Sequence, residues 1–250
     1  MVALFALLVF ALTGKDWQYS AELLLPSLAF AIFYALMTCS AVLAINYGSL
    51  AKTSLIISCS LLIPTLYGII FLGEELSATL LIGVALLVFS LITVNYERDS
   101  AKKKITVEWI IFVTLAFLGS GMCSVVQRAK TVYLGKEGDS LFMVIALGAV
   151  SVILAGVSLL SKRERSIATD VIRLGWLPAL VCGVANGLTN FIVICLNNQS
   201  FPASVMFPVI SGGNVIIVLL YSVIFKKERF GVRQIVGFAA GIASIVLLNL

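Results

Sequence analysis

Histidine is absent from this 250-residue chain. Its absence excludes imidazole acid–base chemistry, Ser-His-Asp and Cys-His triads, and histidine-ligated metals. Charge is scarce: 12% of residues are Asp, Glu, Lys or Arg, where a soluble domain carries about 25%. Cysteine is thinly spread, at Cys39, Cys59, Cys123, Cys182 and Cys195, each inside an apolar run. A zinc site needs clustered ligands such as C-x-x-C, so no metal is expected and the thiols read as small packing residues. No cofactor motif is present, and no clustered acid, base or nucleophile supports an enzyme.

What the chain does have is apolar length. Hydrophobic residues make up 61%, and the mean hydropathy is +1.12. Neither a soluble fold nor a disordered chain has that composition. The charge-free runs are 1–14, 23–51, 53–73, 76–96, 109–127, 140–161, 174–225 and 234–250. A membrane helix needs about 20 apolar residues. The run 174–225 holds two, divided at Asn197-Asn198-Gln199-Ser200-Phe201-Pro202, a polar break with turn residues and a proline. The sequence therefore predicts an all-α polytopic membrane protein with nine spans: A 1–14, B 24–46, C 53–72, D 77–96, E 108–127, F 140–161, G 174–197, H 203–225 and I 231–250. None alternates in polarity as a barrel strand would. The expected partners are the bilayer of the cell (plasma or inner) membrane and a small molecule. Nucleic acid is not expected, because the net charge of +5 lies in short seams between spans.

Span A reaches only about 21 Å at the helical rise, short of the hydrocarbon core, and lacks the basic start of a signal peptide. It is expected to continue a helix that begins upstream. Lys52, Arg98, Lys102–Lys104, Lys162, Arg163, Arg165, Arg173, Lys226, Lys227, Arg229 and Arg233 gather on one side of the alternating loops. Lys15, Arg128, Lys130 and Lys136 fall on the other. The richer side is expected in the cytoplasm, with the C-terminus outside.

An internal repeat underlies the spans. A shift of 154 aligns Leu66, Tyr67, Ile70, Phe71, Glu74, Gly83, Ala85, Ser90 and Asn95 with Leu220, Tyr221, Ile224, Phe225, Glu228, Gly237, Ala239, Ser244 and Asn249. A shift of 152 aligns Pro26, Asn46 and Ala51 with Pro178, Asn198 and Ala203. C–D thus repeats as H–I, B as G and A as F. Span E lacks a partner, so the repeating unit has five helices and the first copy lacks its first helix. An odd count inverts the second copy. The predicted halves are 1–96 and 108–250, joined by a basic linker at 97–107. Inverted repeats give two states of similar energy, each open to one side, with a site near the midplane.

The stretch Phe71-Leu72-Gly73-Glu74-Glu75-Leu76 followed by Gly83, its second copy from Phe225 to Glu228 and Gly237, and Pro202-Ala203-Ser204-Val205-Met206-Phe207-Pro208-Val209 resemble the EamA family of the drug/metabolite transporter superfamily. The resemblance covers nearly the whole chain. It implies ten helices, a central cavity between the halves and transport of a small metabolite. The family pattern also implies both termini inside, against the charge count kept above.

Polar residues in mid-membrane are costly and often functional. The candidate substrate-binding residues are Tyr34 and Thr38 on B, Ser58 on C, Asn186 and Asn190 on G, and Ser211 and Asn214 on H. The 152 shift superimposes Tyr34 on Asn186 and Thr38 on Asn190. For the serines and threonine, helix–helix hydrogen bonding is the competing role. Pro64 and Pro208 read as kinks. Gly183-x-x-x-Gly187 and Gly237-x-x-x-Gly241 read as close-packing faces within the chain, with a homodimer contact as the alternative. Glu74 and Glu228 read as acidic starts of the helices that follow them. No charge falls inside any apolar run, so the expected cavity is neutral and polar. It suits a neutral or zwitterionic, amino-acid-like metabolite moved by alternating access. The alternatives are a sugar or lipid-linked sugar carrier and a non-transporting membrane scaffold or fragment.

Overall fold

The structure is a computed structural model and describes residues 2–13, 21–48, 53, 56–75, 77–94, 106–135, 137–160, 162–199, 202–210 and 232–248. No strand occurs among them. The helices are α1 (Val2–Thr13), α2 (Leu24–Tyr47), α3 (Leu62–Phe71), α4 (Ala78–Val94), α5 (Val107–Leu134), α6 (Asp139–Leu160), α7 (Lys162–Asn198), α8 (203–210) and α9 (Val232–Leu248). Single 3-10 turns precede α2 and α3. Four helical stretches are long and apolar enough to cross a membrane: Ala21–Tyr47, Val107–Leu134, Asp139–Ser158 and Gly175–Asn198. Leu12, Leu25, Ile32, Val152 and Val181 all lie more than half exposed on these or neighbouring helices, a surface that suits lipid better than water.

The chain forms two compact units, residues 1–35 with 126–200 and residues 36–125 with 201–250. Each draws on both halves of the sequence. In the first, α1 packs on α6 and α7. Small residues permit the approach: Ala3 and Ala6 are buried, a Cβ on Gly148 would lie 3.5 Å from Leu7, and a Cβ on Gly183 would collide with Phe5 and the Val2 carbonyl. Phe10 meets Phe191 edge-on at 6.1 Å. The Gly183 face is thus filled from within the chain. Ser27 ties α2 to α6 by donating to the carbonyls of Leu23 and Phe142.

In the second unit α4 packs on α9, the pair that the 154 shift relates, and the buried Ser244 hydroxyl donates to the Gly83 carbonyl at 2.7 Å. Trp109 centres a cluster with Ala44 and Val113. Its indole N–H donates to Thr53, which satisfies the one polar atom of a buried ring. Gly121 admits Ile63, and Ser60 donates to Ser120 at 2.8 Å. The 3-10 turn Cys59–Leu61 comes just before Pro64, whose ring has no N–H to give the Ser60 carbonyl.

Glu74 does not start the helix that follows it. Ser77 caps α4, accepting the Leu80 N–H at 3.0 Å. The Glu74 carboxylate instead accepts the N–H groups of Ala203 and Ser204, both at 2.7 Å, and so caps α8, far along the chain. Gly73, with φ +66°, turns the backbone so that the Glu74 N–H returns to the Gly68 carbonyl. A Cβ on Gly68 would strike the Glu74 carboxylate. Glu228 lies outside the described residues.

Two helices overrun their predicted spans. Span E was expected to end at 127, but α5 continues to Leu134, and its 28 residues rise about 42 Å. Span G was expected to begin at 174, but α7 begins at Lys162. Charge alone does not stop a helix. No proline or glycine interrupts either extension, and α5 stops where Gly135 takes a positive φ of +77°.

Candidate functional site

Four polar residues of the first unit form one connected set. Asn186 and Asn190 stand one turn apart on α7, and i, i+4 residues share a face. Asn190 Nδ2 donates to the Asn186 carbonyl at 2.9 Å and to its Oδ1 at 3.2 Å. Tyr34 of α2 donates to the same Oδ1 at 3.3 Å. Gln127 of α5 donates to Asn190 Oδ1 at 2.9 Å and leans on Met143 of α6. Both Asn190 donors and its acceptor are therefore engaged. Asn186 Oδ1 accepts twice, which fixes which way its amide points. Its Nδ2 donates to nothing among the described residues. Tyr34, Asn186 and Asn190 are half-buried, and Gln127 is buried. Phe30 stacks on Tyr34 and meets Phe142 edge-on, so an aromatic wall holds the phenol.

The predicted residues divide accordingly. Tyr34, Asn186 and Asn190 are brought together, and Tyr34 bonds directly to the residue 152 positions ahead. Thr38 and Ser58 belong to the second unit. Ser58 is exposed at the start of the 3-10 turn and makes no side-chain cap. Ser211 and Asn214 lie outside the described residues.

The expected loop position of Arg128 and Lys130 needs correction. Arg128 and Lys130, expected in a loop, sit in the last two turns of α5 and are 8% and 2% exposed. Lys130 forms a buried ion pair with Asp139 at the start of α6. It also donates to the carbonyls of Gly135 at 3.1 Å and Glu137 at 2.8 Å. Asn198 donates to the other Asp139 oxygen. Full satisfaction of this kind is what makes a buried charge tolerable. Arg128 Nη1 lies 3.5 Å from the Asn197 carbonyl.

Sequence reasoning missed Gln127, Arg128, Lys130, Asp139, Asn197 and Asn198. Two signals were available. Gln127 is the last residue of its apolar run. Asn197 follows Asn186 by eleven residues, three helical turns, and so falls on the same face.

No family model matches the chain, and no curated protein matches it in sequence. One solved structure, described only as "Crystal structure of protein", superposes on 100% of this chain and 98% of its own, with a TM-score of 0.65 at 13% identity. At that identity the likeness establishes a shared fold and no more.

Proposed function

We propose that this chain is a secondary transporter of the EamA type, carrying a small neutral or zwitterionic, amino-acid-like metabolite across the cell membrane by alternating access. The observation that carries the reading is the amide of Asn186. Its oxygen is held by Tyr34 and Asn190, while its Nδ2, half-buried between apolar helices, keeps two donors for a ligand. A polar group in lipid-facing structure is expensive, and a preorganised donor without an acceptor among the described residues suits a substrate oxygen. Two further facts support the reading. The 152 shift of the sequence superimposes Tyr34 on Asn186, and pseudo-symmetric positions meeting at one place are what inverted repeats use for a substrate site. The repeat-related helices α4 and α9 also pack together.

The test is uptake of labelled amino acids into liposomes holding the purified chain. Asn186→Asp keeps an oxygen for Tyr34 and Asn190 and removes the amide donors. Loss of one neutral hydrogen bond, about 1 kcal/mol, weakens apparent affinity about fivefold, and the new half-buried carboxylate lowers the thermal midpoint. Asn186→Leu lowers both. Wild-type uptake by a folded Asn186→Asp protein would remove Asn186 from the substrate site. No uptake of any amino acid by the wild-type chain would refute the transport reading.

A further inference from the structure

The α4–α9 pair carries an uneven contact between matched residues. The 154 shift superimposes Gly83 on Gly237 and Ser90 on Ser244. Ser244 donates to the Gly83 carbonyl at 2.7 Å. Seven residues separate Gly83 from Ser90 and Gly237 from Ser244, which is about two helical turns and so one face. In an antiparallel pair that bond brings Ser90 opposite Gly237 and lays almost all of α4 against α9. A parallel pair with the same bond would carry Ser90 past Leu248, the end of α9. Gly83, Gly237 and Gly241 are buried, and Ser90, Ser244 and Leu87 are fully so, as the antiparallel register requires.

The matching bond, from Ser90 to the Gly237 carbonyl, is not made: the buried Ser90 hydroxyl has no partner. Nor does it take the carbonyl four residues back, as Thr65, Thr93, Ser151 and Thr189 do. A buried hydroxyl left unmet is rare enough to need a reason, and the pseudo-symmetry supplies one. A bond made on one side of a two-fold axis and missing on the other marks a contact displaced from its symmetric position. The opposite displacement, equal in size, exchanges the two.

We infer that the α4–α9 contact is a two-position switch, in which Ser244–Gly83 and Ser90–Gly237 are alternative hydrogen bonds. In the second position Ser90 donates to the Gly237 carbonyl and Ser244 is released. Both positions bury the same groups and make one bond, so they differ little in energy, and a packed interface moves between such arrangements rather than resting midway. Each position belongs to one access state. The inference rests on the transporter reading for that last step, but the exchange of bonds can be seen without transport.

The experiment reads the carbonyl carbon NMR shifts of Gly83 and Gly237 in the purified full chain in nanodiscs, alongside uptake of labelled amino acids into liposomes. Removing one hydrogen bond shifts the balance of the two positions about fivefold. Ser244→Ala is expected to move the Gly237 carbonyl toward its bonded shift and the Gly83 carbonyl away from it. Ser90→Ala is expected to do the reverse. It should also raise the thermal midpoint, by removing an unmet hydroxyl, and slow uptake about fivefold. A fixed packing flaw at Ser90 gives the higher midpoint with neither the slower uptake nor the moved carbonyls. A Gly237 carbonyl that Ser244→Ala leaves unmoved, or undiminished uptake by Ser90→Ala, overturns the switch. Carbonyls that exchange in a wild-type chain that takes up nothing leave the switch standing and defeat the transporter reading. Wild-type uptake with a Gly237 carbonyl that no variant moves defeats the switch and leaves the reading.

Discussion

Glu74 holds the start of a helix 129 residues away, and removing its carboxylate should be costly in a calculable way. Two backbone N–H groups reach it at 2.7 Å. Hydrogen bonds to a charged group are worth about 1.5–3 kcal/mol each. The carboxylate is half-buried, so water replaces part of that when it is lost, and the low end applies. Its favourable position at the positive end of α8 adds about 0.3–1 kcal/mol. Glu74→Ala should therefore cost about 3 kcal/mol. For a chain of this size 1 kcal/mol moves the midpoint about 2–4 °C, so the fall should be about 6–12 °C. Glu74→Gln keeps one oxygen but turns an NH2 toward the second N–H, and should lie between wild type and alanine. Tryptophan fluorescence in detergent gives the midpoint. Hydrogen exchange gives the local effect: the Ala203 and Ser204 amides should exchange faster in both variants. A Glu74→Ala protein that melts within 1 °C of wild type, with those two amides still protected, would show that the cap contributes nothing.

Lys130→Met should destabilise by about 3–5 kcal/mol, because it strands the buried Asp139 carboxylate. Adding Asp139→Leu should cost less than the two single changes summed, measured as a double-mutant cycle of midpoints. Gly183→Ala should cost about 1–3 kcal/mol by forcing α1 off α7. Gly156→Ala on α6, where a Cβ meets nothing within 4 Å, should gain up to about 1 kcal/mol from helix propensity. Equal midpoints for the two glycine variants would contradict the packing of α1.

The helices were most legible where lipid thickness and a breaker agree. Predicted span B at 24–46 is α2, Leu24–Tyr47, and span F at 140–161 is α6, Asp139–Leu160. Spans E and G were read less well because charged residues served as boundaries. Hydropathy marks where a helix can meet hydrocarbon, whereas backbone chemistry marks where it stops. In α5 the stop is Gly135, seven residues beyond Arg128. In α7 nothing before Gly175 breaks the helix, so the basic seam beginning at Lys162 is helical. The acidic residue of the Gly73-Glu74 turn was legible as a helix cap. Which helix it caps was not, since capping needs only an N–H pair within reach and sequence distance carries no information about that.

The same difference decides how much of the site could be read. Tyr34, Asn186 and Asn190 emerged from residue type, spacing and the 152 shift, all local or periodic quantities. The remainder depends on how helices face one another. Arg128 and Lys130 were placed in solvent because isolated buried charge is prohibitive. That argument fails once partners are supplied, and here they come from the next turn and helix: Asp139 and the Gly135 and Glu137 carbonyls for Lys130, with Asn198 completing Asp139. The Asn197-Asn198 pair was read as the polar break between two spans. In the fold its two members part, because neighbours on a helix point about 100° apart. Asn198 turns to Asp139 and helps hold the α5–α6 connection. Asn197 turns inward along the line of Asn186 and Asn190 and finds no protein partner for its amide. Two adjacent, identical side chains are thus separated by helical phase: Asn198 gives its Nδ2 to Asp139 and leaves its Oδ1 unpaired, whereas Asn197 leaves both amide atoms unpaired.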